Sequence, residues 1–457
     1  MYRVFFAAFV AATSTKAQNR CGVSWVDANG NCDATRCVYE DAPCPAGEHC
    51  YADLAPCDNE PQPQPAPACN RPQPPAPGPA PPVPVPAPPS PTIAPSSSPP
   101  SGACAMSTYM GYYASWATTR ACNSMLPEEI DPTPYTHLVF SFAKVSPAYE
   151  LEPYFDTDLP LYPPFNALKQ RKEGLKTLIA IGGWTHNDPG TPTRTLFSEA
   201  AATDERRKTF AASCVQFLQE HDFDGIDIDW EFPGDPSRGG NAQDKANLPL
   251  LLQEIKAQLD AAPKPYILSI AVPLSSFRLN LGYALNEIQP HVDHINIMSY
   301  DLHGTWDLSS APYVNAHANL TEIDAALDLF NGVNSEKLNL GLGAYGRTAK
   351  LASDACAEPG CEFVAAGQAG ECTQEPGVLA YSEIIDLQVS PTIQPNEAAY
   401  GTYTSESGGT SWVGYDTPET LQQKVNRAKA RCFGGVMAWS IDQDSKTSPL
   451  LSTVNLS

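Results

Sequence analysis

DGIDIDWEF, residues 224–232, sets four acidic side chains among mostly apolar neighbours. Isoleucines at 226 and 228 mark a strand, and a strand sends alternate residues to opposite faces. Asp227, Asp229 and Glu231 therefore share one side, and Ile226, Ile228 and Trp230 share the other. At a rise of ~3.3 Å per residue, Asp227 and Glu231 stand roughly 13 Å apart along the strand, with Asp229 midway. Neighbouring buried carboxylates cannot all ionise readily, so at least one proton is held above the ordinary Asp range and the set titrates together. A carboxyl that keeps its proton at the end of such a ladder has the property a general acid needs. Asp224, of opposite parity and near the strand start, is expected to serve the turn.

This acidic strand is one of eight strand-like runs beyond residue 104: STYMGYYASW, THLVFSFAKV, KTLIAIGGW, FDGIDIDWEF, YILSIAVP, HINIMSYDL, LNLGLGAYGR and GGVMAWSI. Helical patterns such as ERRKTFAASCVQFLQEH and NLPLLLQEIKAQLD separate them, which implies parallel pairing. Eight such units predict an α/β fold, a (β/α)8 TIM barrel whose chemistry sits at the C-terminal ends of the strands. The gap between Arg347 and Gly434 is too long for one helix and contains Cys356, Cys361 and Cys372. It predicts an α+β insertion over about 348–415, before the last strand.

The segments before the barrel, 104–457, differ in kind. Residues 1–18 carry Arg3, a short apolar run and small residues, the layout of a secretory signal. Residues 19–57 contain six cysteines in too few residues for a hydrophobic core, so a small disulfide-rich module is expected, with 15 pairings open. Trp25, Tyr39 and Tyr51 are its candidate sugar-stacking platforms, although a structural knot without a ligand fits the same spacing. Residues 58–103 are a Pro-rich spacer that favours extended polyproline geometry, with Cys69 alone inside it.

Acidic residues outnumber basic ones 51 to 28, a net charge of −23 that opposes binding to nucleic acid or an anionic membrane. No later apolar run is long enough to span a bilayer. With fourteen cysteines in the chain, a secreted, extracellular protein is expected. Asn319 (NLT) and Asn455 (NLS) are candidate glycan acceptors. His186, His303 and the other histidines lack the partner spacing of a metal site, and no strand is followed by a phosphate-binding glycine loop, so neither metal nor cofactor is expected.

From about Tyr109 onward the chain resembles glycoside hydrolase family 18, the chitinases. DGIDIDWEF is similar to the family's D-x-x-D-x-D-x-E signature, and GYYASW, FSFA, AIGGW, MSYDLHG, GAYGR and MAWSID resemble its other strand ends in the same order. GVLAYSEI and WVGYDTPETLQQKV are similar to the subdomain that deepens the groove in many members. The resemblance implies a catalytic set of Glu231 as acid and then base, Asp229 to orient the substrate's acetamido group, Asp227 to share a proton with Asp229, and Tyr300 to bond the acetamido carbonyl. It implies a substrate-binding set of Trp439, Trp184, Trp116, Tyr113, Met298, Asp301, Tyr345 and Arg347. Arg347 could equally serve as counter-ion to the acidic strand. The implied partners are chitin and chitin oligosaccharides, met by a monomer, with residues 19–57 as a chitin-binding module. A non-cleaving chitin lectin and an endo-β-N-acetylglucosaminidase are the alternative readings.

Overall fold

The computed structural model describes residues 25–26, 49–50, 104–394, 398–404 and 408–457. The expected signal segment, the pairing of the six clustered cysteines, Tyr39, Tyr51, the Pro-rich spacer and Cys69 lie outside the described residues. Within the first unit, residues 1–98, Trp25–Val26 pairs antiparallel with His49–Cys50.

The second unit is built on eight parallel strands: β1 (Thr108–Ala114), β2 (His137–Val145), β3 (Lys176–Gly182), β4 (Gly225–Asp229), β5 (Ile267–Pro273), β6 (His294–Met298), β7 (Leu338–Gly343) and β8 (Gly435–Trp439). Each pairs with the next, and β8 pairs with β1, so the sheet closes on itself. Closure removes both edges, and the DGIDID alternation then has a definite meaning. Ile226 and Ile228 pack outward with Phe210, Leu252 and Ile255 of the flanking helices, and Asp227 and Asp229 point into the barrel.

The helices that fill the outer layer are 204–221, started by the Thr203 hydroxyl accepting from the Arg206 amide, 244–260, 320–327 and 418–430, with shorter ones between. The β1 to β2 connection holds only 3-10 turns, at Ser115–Thr119 and Pro127–Glu129. Three prolines at 127, 132 and 134 and a disulfide at Cys122 restrict that segment, which accounts for the missing α-helix.

Between β7 and β8 the chain forms a separate antiparallel sheet from Tyr345–Leu351, Phe363–Ala366, Val378–Ala380, Thr392–Ile393, Ala399–Thr404 and Thr410–Tyr415, with a helix at Tyr381–Asp386. This is the predicted insertion, and its first strand leaves the barrel almost directly from β7. The buried Lys424 ammonium meets the buried Asp416 carboxylate, tying the end of that sheet to the helix that leads into β8.

The seven cysteines of the barrel region resolve into Cys104–Cys432, Cys122–Cys372 and Cys356–Cys361, leaving Cys214 as a buried thiol. One expectation fails here. Asn319 is buried, its Oδ1 accepting from the Glu322 amide at 2.9 Å and its Nδ2 donating to the Ala316 carbonyl at 3.1 Å, so it caps a helix and offers no nitrogen to a glycan. Asn455 is exposed.

Candidate active site

Asp227 lies deepest in the acidic ladder and is fully buried. Its Oδ2 accepts from the Tyr112 hydroxyl at 2.9 Å, and its Oδ1 accepts from Ser269 Oγ at 2.6 Å and Asn296 Nδ2 at 3.2 Å. Asn296 also donates to Tyr112 at 2.8 Å and accepts from Asn339 at 2.9 Å, so β1, β4, β5, β6 and β7 each send one side chain into a single polar network. Burial raises the Asp227 pKa, and the donors from Ser269, Tyr112 and Asn296 pull it back.

Asp229, one step nearer the rim, is in the opposite condition. Its Oδ1 is buried without a hydrogen-bond partner, and no bond joins it to Asp227. Burial, then the charges of Glu231 and Asp227, push its pKa well up. Gly182 packs onto this point: at φ +111° its Cβ position would be 2.2 Å from the Asp229 carbonyl oxygen, and the next amide, Gly183, donates to that oxygen at 2.9 Å. Only glycine allows β3 to end so close to β4, and Trp184 follows immediately.

Glu231 stands half-buried just past the end of β4. Burial raises its pKa to about 7, against the lowering effect of Arg238 and Arg278 and with Asp301 and Asp188 adding to the rise. Arg238 is held by three bonds, from Nε to the Glu231 carbonyl at 3.1 Å, from Nη1 to Asp188 at 2.6 Å, and from Nη2 to the Trp184 carbonyl. Its guanidinium carbon lies 3.8 Å from the centre of the Trp184 ring. The cations beside the acidic residues are therefore Arg238 and Arg278, neither of which stands out in the sequence. Arg347, read as a possible counter-ion to that strand, instead binds Asp301 through Nε at 2.8 Å and Nη2 at 2.6 Å. It arrives on the first strand of the insertion and so meets the loop after β6.

Asp301 also accepts from the Tyr345 hydroxyl at 2.6 Å. Burial opposes its charge, but Arg347 and His317 hold its carboxyl well below the usual range, so it stays ionised. Tyr300 keeps its proton, because burial and then the charges of Asp229 and Asp301 push its pKa well up. It packs with Met298, Phe142 and Trp439 in one cluster. Trp439 meets Tyr112 edge-on at 5.8 Å and stacks on Phe142 at 5.7 Å, and Trp116 continues the stack at 6.1 Å from Phe142. Trp116 is 42 % exposed and Trp184 51 %, both large for tryptophan.

The structure thus brings Asp227, Asp229, Glu231, Tyr300, Met298, Asp301, Tyr345, Arg347, Trp439, Trp184 and Trp116 to one end of the barrel. Tyr113 is not among them. It is fully buried against Phe140 and Phe165 on the outer side of β1, its hydroxyl donating to the Met125 carbonyl at 2.7 Å. Strand alternation turns Tyr112 inward in its place, and only the register of β1 decides which of two adjacent tyrosines faces the site. Phe142 was also missed as a site residue. The β2 register shifts between Ser141 and Ala143, and that irregularity lets Phe142 reach the stack. Among the described residues no group of three His, Cys, Asp or Glu side chains could hold a metal ion, and no helix is long and apolar enough to cross a membrane.

A closed (β/α)8 barrel with an acidic ladder on β4 and aromatic side chains at its mouth defines a glycosidase-like site. Residues 108–444 match the sequence profile of glycosyl hydrolases family 18, and the chain belongs to that family. It is similar to chitotriosidase-1 of Mus musculus, 32 % identical over 349 residues that cover 73 % of this chain and 72 % of that protein. Among solved structures it resembles the group IV chitinase of Ostrinia furnacalis in complex with allosamidin. That match has a TM-score of 0.68 and 28 % identity, covering 76 % of this chain and 97 % of the other. Human YKL-39, described as a pseudo-chitinase that retains chitooligosaccharide binding, matches at TM-score 0.67 and 26 % identity, covering 76 % and 98 %.

The two neighbouring tyrosines give a direct test of the buried network. Tyr113→Phe should cost about 1 kcal/mol at any pH, the worth of one hydrogen bond. Tyr112→Phe removes a donor that favours ionised Asp227, so it raises further a folded-state pKa that is already high. A raised folded pKa keeps its full contribution below the ordinary Asp range and loses it as pH rises through the folded value. Tyr112→Phe should therefore destabilise more at pH 8 than at pH 4, as read by thermal unfolding at both.

Proposed function

We propose that this protein is a secreted chitinase, acting as a monomer on β-1,4 bonds between N-acetylglucosamine units with retention of anomeric configuration. The observation that carries the reading is Glu231 at the rim, protonated up to about pH 7, one strand alternation above a buried Asp229 whose Oδ1 has no partner. A glycosidase that uses a protein nucleophile needs two carboxyl groups about 5 Å apart across the sugar, whereas this family is an exception in which the substrate assists. An N-acetyl group beside the scissile bond supplies the nucleophile, and Asp229 lacks the partner that this group would provide.

In the first step Glu231 gives its proton to the glycosidic oxygen and the C1–O bond breaks. The acetamido carbonyl oxygen bonds to C1 from the opposite face, forming an oxazolinium ion, and the leaving sugar departs as an alcohol. Asp229 holds the acetamido N–H and offsets the charge growing on its nitrogen, while the Tyr300 hydroxyl aligns the carbonyl. In the second step Glu231, now a carboxylate, takes a proton from water as the water oxygen attacks C1 and the bond from C1 to the acetamido oxygen breaks, restoring the neutral acetamido group. Two inversions give net retention. Asp227, with its oxygens committed to Tyr112, Ser269 and Asn296, acts on Asp229 through its charge, which raises the proton affinity of its neighbour. Trp439 forms the floor beneath the attacked sugar, with Met298 beside it. Trp116 and Trp184 extend the platform, and Asp301, Tyr345 and Arg347 bind polar groups of the substrate. Residues 1–18 would direct export, residues 19–57 would bind chitin, and residues 58–103 would space that module from the barrel.

Glu231→Gln should keep affinity for chitin oligomers in titration calorimetry and lose about 10²- to 10⁴-fold in turnover. Turnover that is absent from the wild type as well would make the protein a chitin lectin. The plot of kcat/KM against pH should fall as pH rises through about 7, because the acid must hold its proton. The apparent value belongs to the Glu231–Asp229 pair, and a profile flat to pH 9 would move the acid elsewhere. Removing residues 21–103 should weaken binding to insoluble chitin in a pull-down while sparing cleavage of small soluble oligomers; unchanged pull-down would leave the small module without this role.

A further inference from the structure

Arg278 lies on the short helix Ser276–Gly282, which follows β5 at the same end of the barrel as Glu231. Its guanidinium carbon is 4.0 Å from the centre of the Phe232 ring and 5.8 Å from that of Trp184. Phe232 is the residue after Glu231, so these contacts place a cation directly beside the proton donor. The mounting is rigid. At Gly282 a Cβ would come 2.0 Å from the Pro233 carbonyl oxygen, and at Gly234, φ +77°, 2.6 Å from the Leu281 carbonyl oxygen, so the helix rests on the loop after β4 with no room between. Asp244 ties that loop down by accepting from the Gly234 amide at 3.0 Å and the Asn241 amide at 2.7 Å.

Two arginines flank Trp184, and they differ in one respect. Arg238 spends its nitrogens on Glu231, Asp188 and Trp184. Arg278 makes no hydrogen bond to any described residue. The carboxylate near it, Asp235, commits Oδ1 to the Ser237 amide and hydroxyl and leaves Oδ2 3.9 Å from Arg278 Nε. The Arg278 side chain is 30 % exposed. A guanidinium carried on a tightly packed helix, paired only loosely with Asp235, without a hydrogen bond to any described residue and partly open at a site mouth is arranged to meet an acceptor from outside the protein.

The position of the two sugars follows from the proposed chemistry, on which this inference rests. Asp229, Tyr300, Met298 and Trp439 surround the sugar that is attacked, so the leaving sugar lies beyond Glu231, over the exposed Trp184 ring and beside Arg278, which covers the buried Phe232. We propose that Arg278 is a substrate-binding and specificity-determining residue for the first leaving-side sugar, donating to its hydroxyl or acetamido oxygen and rejecting a protonated amino sugar there. An N-acetylglucosamine unit is neutral and brings acceptors. A glucosamine unit brings an ammonium that the guanidinium repels and cannot bond. The charge of Arg278 also helps to lower the proton affinity of Glu231, so the same residue bears on the acid.

Partially deacetylated chitin separates this inference from the reading it rests on, because each cut leaves two new ends. The new reducing end reports the attacked sugar, and the new non-reducing end reports the leaving-side sugar. At pH 6, wild-type products should carry N-acetylglucosamine at both. Arg278→Met should admit glucosamine at new non-reducing ends about tenfold more often, leave new reducing ends acetylated, and move the alkaline limb of kcat/KM upward by about one pH unit. Arg278→Lys should restore the acetylated preference and the limb. Glucosamine at wild-type reducing ends would sink substrate assistance and leave the Arg278 assignment standing. Wild-type non-reducing ends that match the substrate's composition, or no change in Arg278→Met, would overturn the assignment. A readout that needs no turnover uses Glu231→Gln protein and fully acetylated chitohexaose in titration calorimetry. There Arg278→Met, or Arg278→Gln should the first variant not fold, should weaken affinity about tenfold, and unchanged affinity would equally overturn the proposal.

Discussion

Asp227, Asp229 and Glu231 rise along one face of β4 into a buried interior, where each would cost several kcal/mol as an unpaired charge. Much of the surrounding structure can be understood as an answer to that cost. The deepest acid is satisfied by three donors from β1, β5 and β6. Oδ1 of the middle acid is left without a partner, and burial, then the charges of Glu231 and Asp227, raise its proton affinity. The outermost acid is moderated by two arginines, Arg238 in the segment after β4 and Arg278 on the short helix after β5, which keep its pKa near neutrality instead of higher. Satisfied, unsatisfied and tuned carboxyls thus follow one another within five residues.

The second requirement is that the groups around this ladder stay in place. Asp301, at φ +58°, sits in a tight turn just past the end of β6 and is locked by Tyr345 and Arg347 from the insertion's first strand. The insertion therefore supplies two of the groups that hold Asp301 in place. On the other side, the close approach of Gly182 to Asp229 and of Gly282 to Pro233 brings the loop carrying Trp184 and the short helix carrying Arg278 against the end of β4. Both approaches exist because those positions lack a Cβ.

Aromatic side chains divide into two groups about Glu231. Trp439, Phe142 and Trp116 form a continuous stack that shares a cluster with Met298 and Tyr300. Trp184 and Phe232 meet edge-on at 6.3 Å under the two arginines. One group is backed by neutral hydroxyl and thioether groups and the other by cations, so the surroundings of the two aromatic groups differ in charge.

The barrel, the insertion before its last strand and the parity of the acidic residues were legible in the sequence, because they depend on periods of two and 3.6 and on a long gap. Asp227, Asp229 and Glu231 could be placed on one face from strand alternation alone. Tyr112 could not be told from Tyr113, because one residue of register reverses the face and the register is set by pairing with strands far away in the chain. Phe142 depended on an irregularity within β2 that leaves no mark in composition. Arg238 and Arg278, seven and 47 residues beyond Glu231, became its neighbours only when the loops after β4 and β5 packed together. Asn319 carries an acceptor motif that helix capping hides. Local alternation is written into the chain, whereas the partners of each charge are chosen by the closure of the barrel, which brings distant strand ends to one mouth.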